Sequence, residues 1–316
     1  MRLGIDATNA RGGGGVTYLI NLLTAAEPPN YGFETVVIWC NSETKEKLPE
    51  RIWLKTITAE HQNKGLLWRT FWQWRCLSKH YQQEGCDVLF VPGGSVYANF
   101  NKVVTVSQNM LPFDITQIRQ FGFSLMSLKL ILLRIIQSHS FRRSNAIIFL
   151  SKYAQTSISR IAKTENKRSV NIPHGVSENF FCKPRKQVPI QGFSQNNPLV
   201  ILYVSDFLPY KHHKEVIRAF SMLIKTGLPV KLDLVGIRQE RDRKQIKKML
   251  LQNGVSLTSV EVRGQVESSR LPSIHHGADL LLFASSCENM PITLIEGMAS
   301  GLPVASSENG PMPEIL

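Results

Sequence analysis

The sequence is organised around residues 279–306, which read DLLLFASSCENMPITLIEGMASGLPVAS. Residues 279–284 form a short apolar run with the length of a buried strand, and residues 302–306 resemble a second strand. The segment between them predicts a loop that leads into a helix. Pro291 suits the first helical position, where its missing N–H costs nothing. The amides of residues 292–294 would then be open at a helix N-terminus, which is a favourable site for phosphate.

Two carboxylates flank this predicted helix start, Glu288 in the loop and Glu296 in the helix. At a rise of about 1.5 Å per residue they would lie roughly 10 Å apart, too far for the ~5 Å carboxylate pair of a double-displacement glycosidase. We therefore expect separate roles. Glu288 can reach a sugar, and Glu296 can accept hydrogen bonds from ribose hydroxyls. The alternative is an ordinary amphipathic helix with surface carboxylates.

The pair Glu288-x7-Glu296, followed by Gly-Leu-Pro-Val at 301–304 and Gly-Pro-Met-Pro-Glu-Ile at 310–315, resembles the donor-site signature of family 4 (group 1) glycosyltransferases. Those enzymes are retaining, metal-independent and of the GT-B fold. The resemblance implies an α/β protein with two doubly wound Rossmann-like domains facing a cleft, the second incomplete at its C-terminus. It also implies a nucleotide diphosphate sugar as co-substrate, with no cofactor and no metal. The sequence has no Asp-x-Asp motif, which argues against a metal-bridged transferase.

Length and composition favour two globular domains. The chain has 316 residues, more than one core usually holds, and 43% of them are hydrophobic. We find no run of 18 apolar residues, and the N-terminus resembles a strand rather than a signal peptide, so we expect a cytoplasmic protein. The five cysteines are scattered without a CxxC spacing, so neither a disulfide framework nor a zinc site is indicated.

The formal net charge of +13 favours an anionic partner, and its distribution is uneven. Residues 115–164 contain no Asp or Glu. Within them, residues 121–136 predict an apolar helix with basic residues, too short and too charged to span a bilayer, which could lie on an anionic membrane surface. Residues 66–75 combine three Trp with two Arg and are a second candidate. The alternative for both is domain core. Nucleic acid binding is disfavoured because no recognition motif accompanies the charge.

Residues 1–176 predict an N-terminal, acceptor-side domain of alternating strands and helices. After the first strand comes a glycine-rich loop that matches neither a P-loop nor a dinucleotide fingerprint, and taken alone it is a flexible turn as often as a binding site. In the family such a loop faces the cleft near the donor phosphate and the acceptor. The resemblance therefore implies a binding role for Gly13, Gly14 and Gly15.

The strand at 103–107 leads into Gln108 and Asn109, where family members often carry a His near the reacting sugar. An amide can hydrogen-bond a sugar hydroxyl but cannot act as a general base. We therefore take Asn109 as a catalytic-site candidate with a binding role. The proton of the acceptor would go to another group or to the donor phosphate, as is proposed for the family.

Residues 177–198 are predicted as the linker, and residues 199–316 as the nucleotide-sugar-binding domain. After the strand at 199–204 the family carries a Gly-Arg pair and then a Lys, whose cations bind the donor diphosphate. Ser205 stands at the Gly position, Asp206 at the Arg position and Lys211 at the Lys position. Asp206 is unfavourable beside a diphosphate unless it turns away, and His212 or His213 could compensate.

The resemblance thus implies a hexosyl transfer from a nucleotide sugar to a lipid-linked or polysaccharide acceptor in cell-surface glycan biosynthesis. Glu288 would contact the transferred sugar. The donor would be held by residues of the second domain: Ser205, Lys211, Asn289, Met290, Ile292, Thr293 and Glu296. Two alternatives remain open, a catalytically inactive nucleotide-sugar binder and a basic peripheral membrane protein.

Overall fold

The computed structural model describes residues 1–10, 14–58, 71–183 and 186–316, which contain two parallel sheets. The first has seven strands: β1 Arg2–Asp6, β2 Thr35–Cys40, β3 Leu54–Thr58, β4 Val88–Val91, β5 Val103–Ser107, β6 Ala146–Phe149 and β7 Ser169–Asn171. The second has five: β8 Leu199–Val204, β9 Val230–Val235, β10 Val260–Val262, β11 Leu280–Phe283 and β12 Val304–Ser306.

Helices connect the strands. In chain order they are Gly14–Ala25, Ser42–Lys45, Ser78–Gln83, Ile115–Arg119, Leu125–Arg143, Lys152–Ala162, His213–Lys225, Glu240–Gln252, Leu271–His276, Ile292–Ala299 and Met312–Ile315. A π-helical turn, Gln73–Leu77, precedes Ser78–Gln83. Within the four described ranges, none of the helices has both the length and the apolar character needed to cross a membrane.

The chain divides into two compact units. The first comprises residues 1–113 and 128–173, and the second comprises residues 114–127 and 174–316. The main division falls between residues 173 and 174, while residues 114–127, which include the start of the helix Leu125–Arg143, belong to the second unit. In the second unit, Cys182 Sγ donates a hydrogen bond to the Ser300 carbonyl at 2.9 Å. The start of the segment 177–198 is thus held by that unit.

Both faces of the second sheet are buried, as the continuous apolar strands require. Along β8 and β9 alternate side chains enter opposite cores, so that Ile201 and Tyr203 pack on one face and Leu202 on the other. Helices His213–Lys225 and Glu240–Gln252 contribute to the first of these cores, and helix Ile292–Ala299 contributes Leu294 to the other. The second unit is therefore a three-layer α/β domain.

The strand orders place the ligand-binding edge of each sheet. They are β3-β2-β1-β4-β5-β6-β7 and β10-β9-β8-β11-β12. In each sheet the order reverses next to the first strand of the unit, between β1 and β4 and between β8 and β11. Doubly wound sheets bind ligands at such a switch point, beyond the carboxyl ends of the strands. The loops after β8 and β11 therefore lie at the ligand-binding edge of the second unit.

One predicted helix boundary was wrong, and two edge strands were missed. The apolar basic helix was expected at 121–136 but spans Leu125–Arg143, because Gly122 adopts φ +60° and the Ser124 hydroxyl accepts from the Ser127 amide at 3.3 Å. The edge strands β3 and β7 were not predicted, since they are short and lack a continuous apolar run.

Gly297 lets the helix Ile292–Ala299 pack closely on the sheet. A Cβ built there would lie 2.2 Å from Cδ2 of Leu281, whose side chain is fully buried in β11. We expect Gly297→Ala to lower the free energy of unfolding by about 1–3 kcal/mol, because the helix must move away from the core. Chemical denaturation measures the effect. Gly175→Ala is the control, since a Cβ there meets nothing within 4 Å; equal stability of both variants would contradict the close packing.

Candidate functional site

Two loops meet at the switch point of the second sheet. The loop after β8 contains the turn Pro209–Lys211, and the loop after β11 contains residues 284–291. The Ser286 amide donates to the Tyr210 carbonyl at 2.9 Å. The Ser286 hydroxyl donates to Gln117 Oε1 at 3.0 Å, so His212 Nε2, at 2.7 Å from the same hydroxyl, is the donor to it. These bonds fix the two loops against each other.

Lys211 and Glu288 form an ion pair across these loops. The Lys211 ammonium donates to Glu288 Oε1, and the two side chains are only 17% and 15% exposed. The ammonium also lies 5.2 Å from the ring centroid of Tyr210. The Tyr203 hydroxyl donates to the Lys211 carbonyl, which holds the backbone of the turn. A cation and a carboxylate are thus placed together at the ligand-binding edge, 77 positions apart in sequence.

The helix Ile292–Ala299 starts one residue later than predicted. Pro291 is the residue before the helix, with φ −76° and ψ 110°, and its carbonyl accepts from the Leu294 amide at 3.2 Å. The Leu294 amide is therefore occupied, in contrast to the expectation. In the described part of the chain, no oxygen accepts a hydrogen bond from the amide of Ile292 or Thr293. Two open amides and the positive end of the helix dipole remain for an anion.

Glu296 lies one turn further along this helix and is mostly buried. Burial raises the pKa of its carboxyl to about 7. No cation of the described ranges forms an ion pair with it. A carboxylate kept here without a counter-charge costs stability, which is typical of a group retained for binding.

Asp206 is neutralised by a residue that the sequence analysis did not single out. Arg238, just after β9, donates to Asp206 Oδ1 at 2.9 Å, and both side chains are about half exposed at 50% and 42%. Because β9 neighbours β8 in the sheet, its loop reaches the same edge. His213 does not compensate, since burial and then the Lys211 charge lower its pKa to about 4 and leave it neutral at pH 7.

The remaining predicted donor residues of the second unit line the same two loops. Ser205 is buried and donates to the Asp206 carbonyl at 2.9 Å. Asn289 is 5% exposed, and Met290 follows it directly before the helix. Cys287, between Ser286 and Glu288, is buried, and its burial raises the pKa of its thiol, so it is not activated as a nucleophile.

The candidates in the first unit lie at the corresponding edge of its sheet. Gly14 and Gly15 begin the helix after β1, and a Cβ at either would meet nothing within 4 Å. Gly13 lies outside the described residues. A signal that we missed is Gly94 after β4, the other strand of this switch point, with φ +72° and with Val106 O at 3.2 Å from an added Cβ. Of the two strands at this reversal, β4 thus leads into a turn with a left-handed glycine.

Asn109 follows β5 and is exposed, and its Oδ1 accepts from the Leu111 amide at 3.0 Å. Its amide nitrogen donates no hydrogen bond to another described residue. The neighbouring Gln108 differs, because its Nε2 is buried without an acceptor among the described residues. A buried donor without a partner costs free energy, so Gln108 is a second amide to consider beside Asn109.

The membrane and metal expectations are only partly addressed by the fold. Of the tryptophan-rich stretch, residues 66–70 lie outside the described ranges; Trp72 is core and Trp74 is 63% exposed. No cluster of three metal-binding side chains exists within the described ranges. Metal independence stays a prediction.

Known proteins share this architecture. Sucrose-phosphate synthase from Thermosynechococcus elongatus superposes with a TM-score of 0.75 over 99% of this chain and 82% of its own, at 15% identity. HepE from Anabaena, solved with UDP and glucose, gives 0.66 over 100% and 83%, at 18% identity. WaaG, a glycosyltransferase involved in lipopolysaccharide biosynthesis, gives 0.69 over 100% and 83%, at 15% identity. At these identities the likeness shows the fold, which is GT-B.

Sequence comparison finds a similar family. Residues 185–316 match the family model of the group 1 glycosyl transferases. The predicted resemblance is confirmed for the stretch that contains Lys211, Glu288 and Glu296.

A curated relative extends the likeness beyond the family model. The O-antigen chain mannosyltransferase B of Escherichia coli is 23% identical over 180 residues, or 54% of this chain and 45% of its own length. The match thus spans less than half of that relative. The solved structures thus show the GT-B fold, and residues 185–316 are similar to the group 1 glycosyl transferases.

Proposed function

We propose that this chain transfers a hexose from a nucleotide diphosphate sugar, with retention of configuration, to a lipid-linked or polysaccharide acceptor in cell-surface glycan biosynthesis. The observation that carries the proposal is the Lys211–Glu288 pair at the switch point, next to the open amides of Ile292 and Thr293. Two similar proteins support the substrate class, since one is an O-antigen mannosyltransferase and the other was solved with UDP-glucose.

The site suggests how donor binding proceeds. The diphosphate takes the Lys211 ammonium and the two amides, so that Lys211 exchanges its carboxylate partner for phosphate. Glu288, released from the ion pair, contacts the transferred sugar and stabilises the positive charge that develops as the bond to the diphosphate breaks. Glu296 accepts hydrogen bonds from the ribose, while Ser205, Asn289 and Met290 line the pocket.

The acceptor side belongs to the first unit in this proposal. Gly13, Gly14 and Gly15 would leave room for the acceptor to approach the backbone closely. Asn109 hydrogen-bonds a sugar hydroxyl but takes no proton. The acceptor hydroxyl loses its proton to the departing diphosphate, which is why the site needs no side-chain base on that face.

Donor turnover tests the proposal. Purified protein is incubated with UDP-glucose, GDP-mannose and ADP-glucose, and release of the nucleoside diphosphate is followed together with the anomer first formed, by proton NMR. We expect slow hydrolysis of one donor. The sugar that is released first should have the same α configuration as the sugar in the donor. An inverted product would contradict retention. Release from none of the three, in a protein that binds the nucleotide, would favour the inactive nucleotide-sugar binder.

That second candidate is favoured by Asp206, which stands where the family carries an Arg. Whether Asp206 repels the donor diphosphate depends on Arg238, which neutralises the Asp206 carboxylate. We expect Arg238→Gln to weaken binding of the nucleoside diphosphate about fivefold, since an unpaired carboxylate then repels it. Calorimetric titration measures the affinity.

The additional change Asp206→Asn should restore most of the affinity lost in Arg238→Gln. Arg241→Gln is the matched control, at an exposed arginine of the next helix. Unchanged affinity in the Arg238 variant would place the Asp206 pair away from the diphosphate.

A further inference from the structure

His212 adopts a backbone conformation that histidine seldom takes. Its φ is +54° and its ψ is +37°, in the left-handed region. In the described part of the chain, Lys163 is the only other non-glycine residue with a positive φ, and it ends a helix, where this conformation is common. His212 instead precedes the helix His213–Lys225, where an extended backbone is usual. Glycine or asparagine would adopt these angles at lower cost, so the imidazole is what a histidine adds here.

The imidazole reaches the loop after β11 and does not cap the helix that follows it. His212 makes no capping hydrogen bond, and its Nε2 donates to the Ser286 hydroxyl at 2.7 Å. That hydroxyl donates to Oε1 of Gln117, which is 8% exposed, at 3.0 Å. The other ring nitrogen lies 3.6 Å from Glu215 Oε2, beyond hydrogen-bonding distance. A chain of two hydrogen bonds thus joins the turn after β8, the loop after β11 and the helix Ile115–Arg119.

This chain runs beside the ion pair of the candidate donor site. Lys211 directly precedes His212, and Glu288 follows Ser286 by two residues. The same two loops are therefore joined by an ion pair, by the bond from His212 to Ser286, and by the backbone bond from the Ser286 amide to the Tyr210 carbonyl at 2.9 Å. Donor binding as proposed above opens the ion pair. A single backbone bond lets the loop rotate about it, whereas the second bond, from the imidazole, prevents that rotation.

We infer that His212 is a positioning residue, which holds the loop after β11 in place once the donor has opened the Lys211–Glu288 pair. It touches no substrate atom itself. Without its bond to Ser286, part of the binding energy would be used to order the loop that carries Glu288. The positioning role rests on the proposed function, because it requires phosphate to replace Glu288 beside Lys211.

The variant His212→Asn tests this role. Asparagine tolerates the left-handed conformation, and its side chain is shorter than the imidazole that reaches Ser286. We expect the melting temperature of the free protein to stay the same or rise, because backbone strain is relieved while the ion pair still joins the loops. Affinity for the nucleoside diphosphate should fall roughly five- to tenfold, the worth of one hydrogen bond. Calorimetric titration of the full chain with UDP, GDP and ADP measures the affinity.

Ser286 supplies a second set of variants. Ser286→Ala breaks the same chain, so it should lower the affinity by a similar factor, and the double variant with His212→Asn should lose little more than either alone. Ser286→Thr keeps a hydroxyl and should retain most of the affinity. Lys163→Asn is the matched control, since it relieves the same backbone conformation in the first unit and should leave the affinity unchanged.

Lys211→Ala separates a failure of the positioning role from a failure of the proposed function. Loss of affinity in Lys211→Ala with wild-type affinity in His212→Asn would overturn the positioning role and leave the donor site in place. A lower melting temperature of free His212→Asn together with wild-type affinity would assign the histidine to folding alone. Wild-type affinity in both variants, or no binding of any of the three nucleotides to wild-type protein, would overturn the positioning role and the donor site together.

Discussion

Glu288→Gln is expected to lower the rate of donor turnover by roughly 10²- to 10³-fold, the size of effect seen when a group that stabilises transition-state charge is removed. Gln keeps the shape of the side chain and can still accept a hydrogen bond from the Lys211 ammonium. The change therefore removes the negative charge beside the breaking bond and little else. Binding of the nucleoside diphosphate should stay within a few-fold of wild type, because Lys211 and the helix amides are unchanged.

The comparison needs both readouts on the same preparations. Turnover is measured as nucleoside diphosphate release, and affinity is measured by calorimetric titration with the nucleoside diphosphate alone. Glu215→Gln is a matched control, since this carboxylate is 63% exposed and lies 3.6 Å from His212, in the first turn of the helix His213–Lys225. Undiminished turnover in the Glu288 variant would remove this residue from the reaction.

Glu296→Gln should raise the stability of the protein at alkaline pH while it weakens donor binding. Burial raises the pKa of Glu296 to about 7, above the usual 4.5. The folded state thus holds the proton more tightly than the unfolded state, and the free energy of unfolding falls as pH rises from about 4.5 to 7. The loss above pH 7 is about 2–4 kcal/mol, and the neutral Gln avoids it.

Denaturant titrations at pH 5 and pH 8 measure this difference. From pH 5 to pH 8 the free energy of unfolding of the Glu296 variant should rise relative to that of wild type. Glu308→Gln, at an exposed carboxylate of the same unit, should show no such relative rise. In the opposite direction, the Glu296 variant should lose affinity for the nucleoside diphosphate at pH 8, where the wild-type carboxylate accepts ribose hydroxyls. A parallel pH dependence in wild type and variant would show that Glu296 is not the group that titrates.

The sequence was most informative where strands are buried on both faces. β5 and β8 fall on their predicted residues, because continuous apolar runs leave little choice of boundary. The edge strands β3 and β7 escaped prediction, since an edge strand needs neither length nor apolar residues on both faces. Residues 114–127 joined the second unit although their sequence is continuous with the basic helix. Tertiary packing places these residues in the second unit, and no pattern in the local sequence indicates this placement.

The site was predictable in its parts and not in its pairings. The spacing Glu288-x7-Glu296 and the position of Lys211 identified the two loops. That Lys211 binds Glu288 and Arg238 binds Asp206 depends on the strand order, which brings distant loops to one edge. The Leu294 amide is occupied because of the backbone angles of Pro291. A proline fits both the cap position and the first helical position, so the residue type alone does not determine these angles.

The most direct test of the donor site is the melting temperature of the protein with UDP, GDP and ADP, in wild type and in Glu296→Ala. At about 100 times its dissociation constant a ligand adds about 2.7 kcal/mol of stability, which corresponds to a shift of roughly 5–10 °C for a domain of this size. We expect one of the three nucleotides to give this shift in wild type and a much smaller one in the variant. No shift with any nucleotide, or an equal shift in both proteins, would contradict a nucleotide site at Lys211, Glu288 and Glu296.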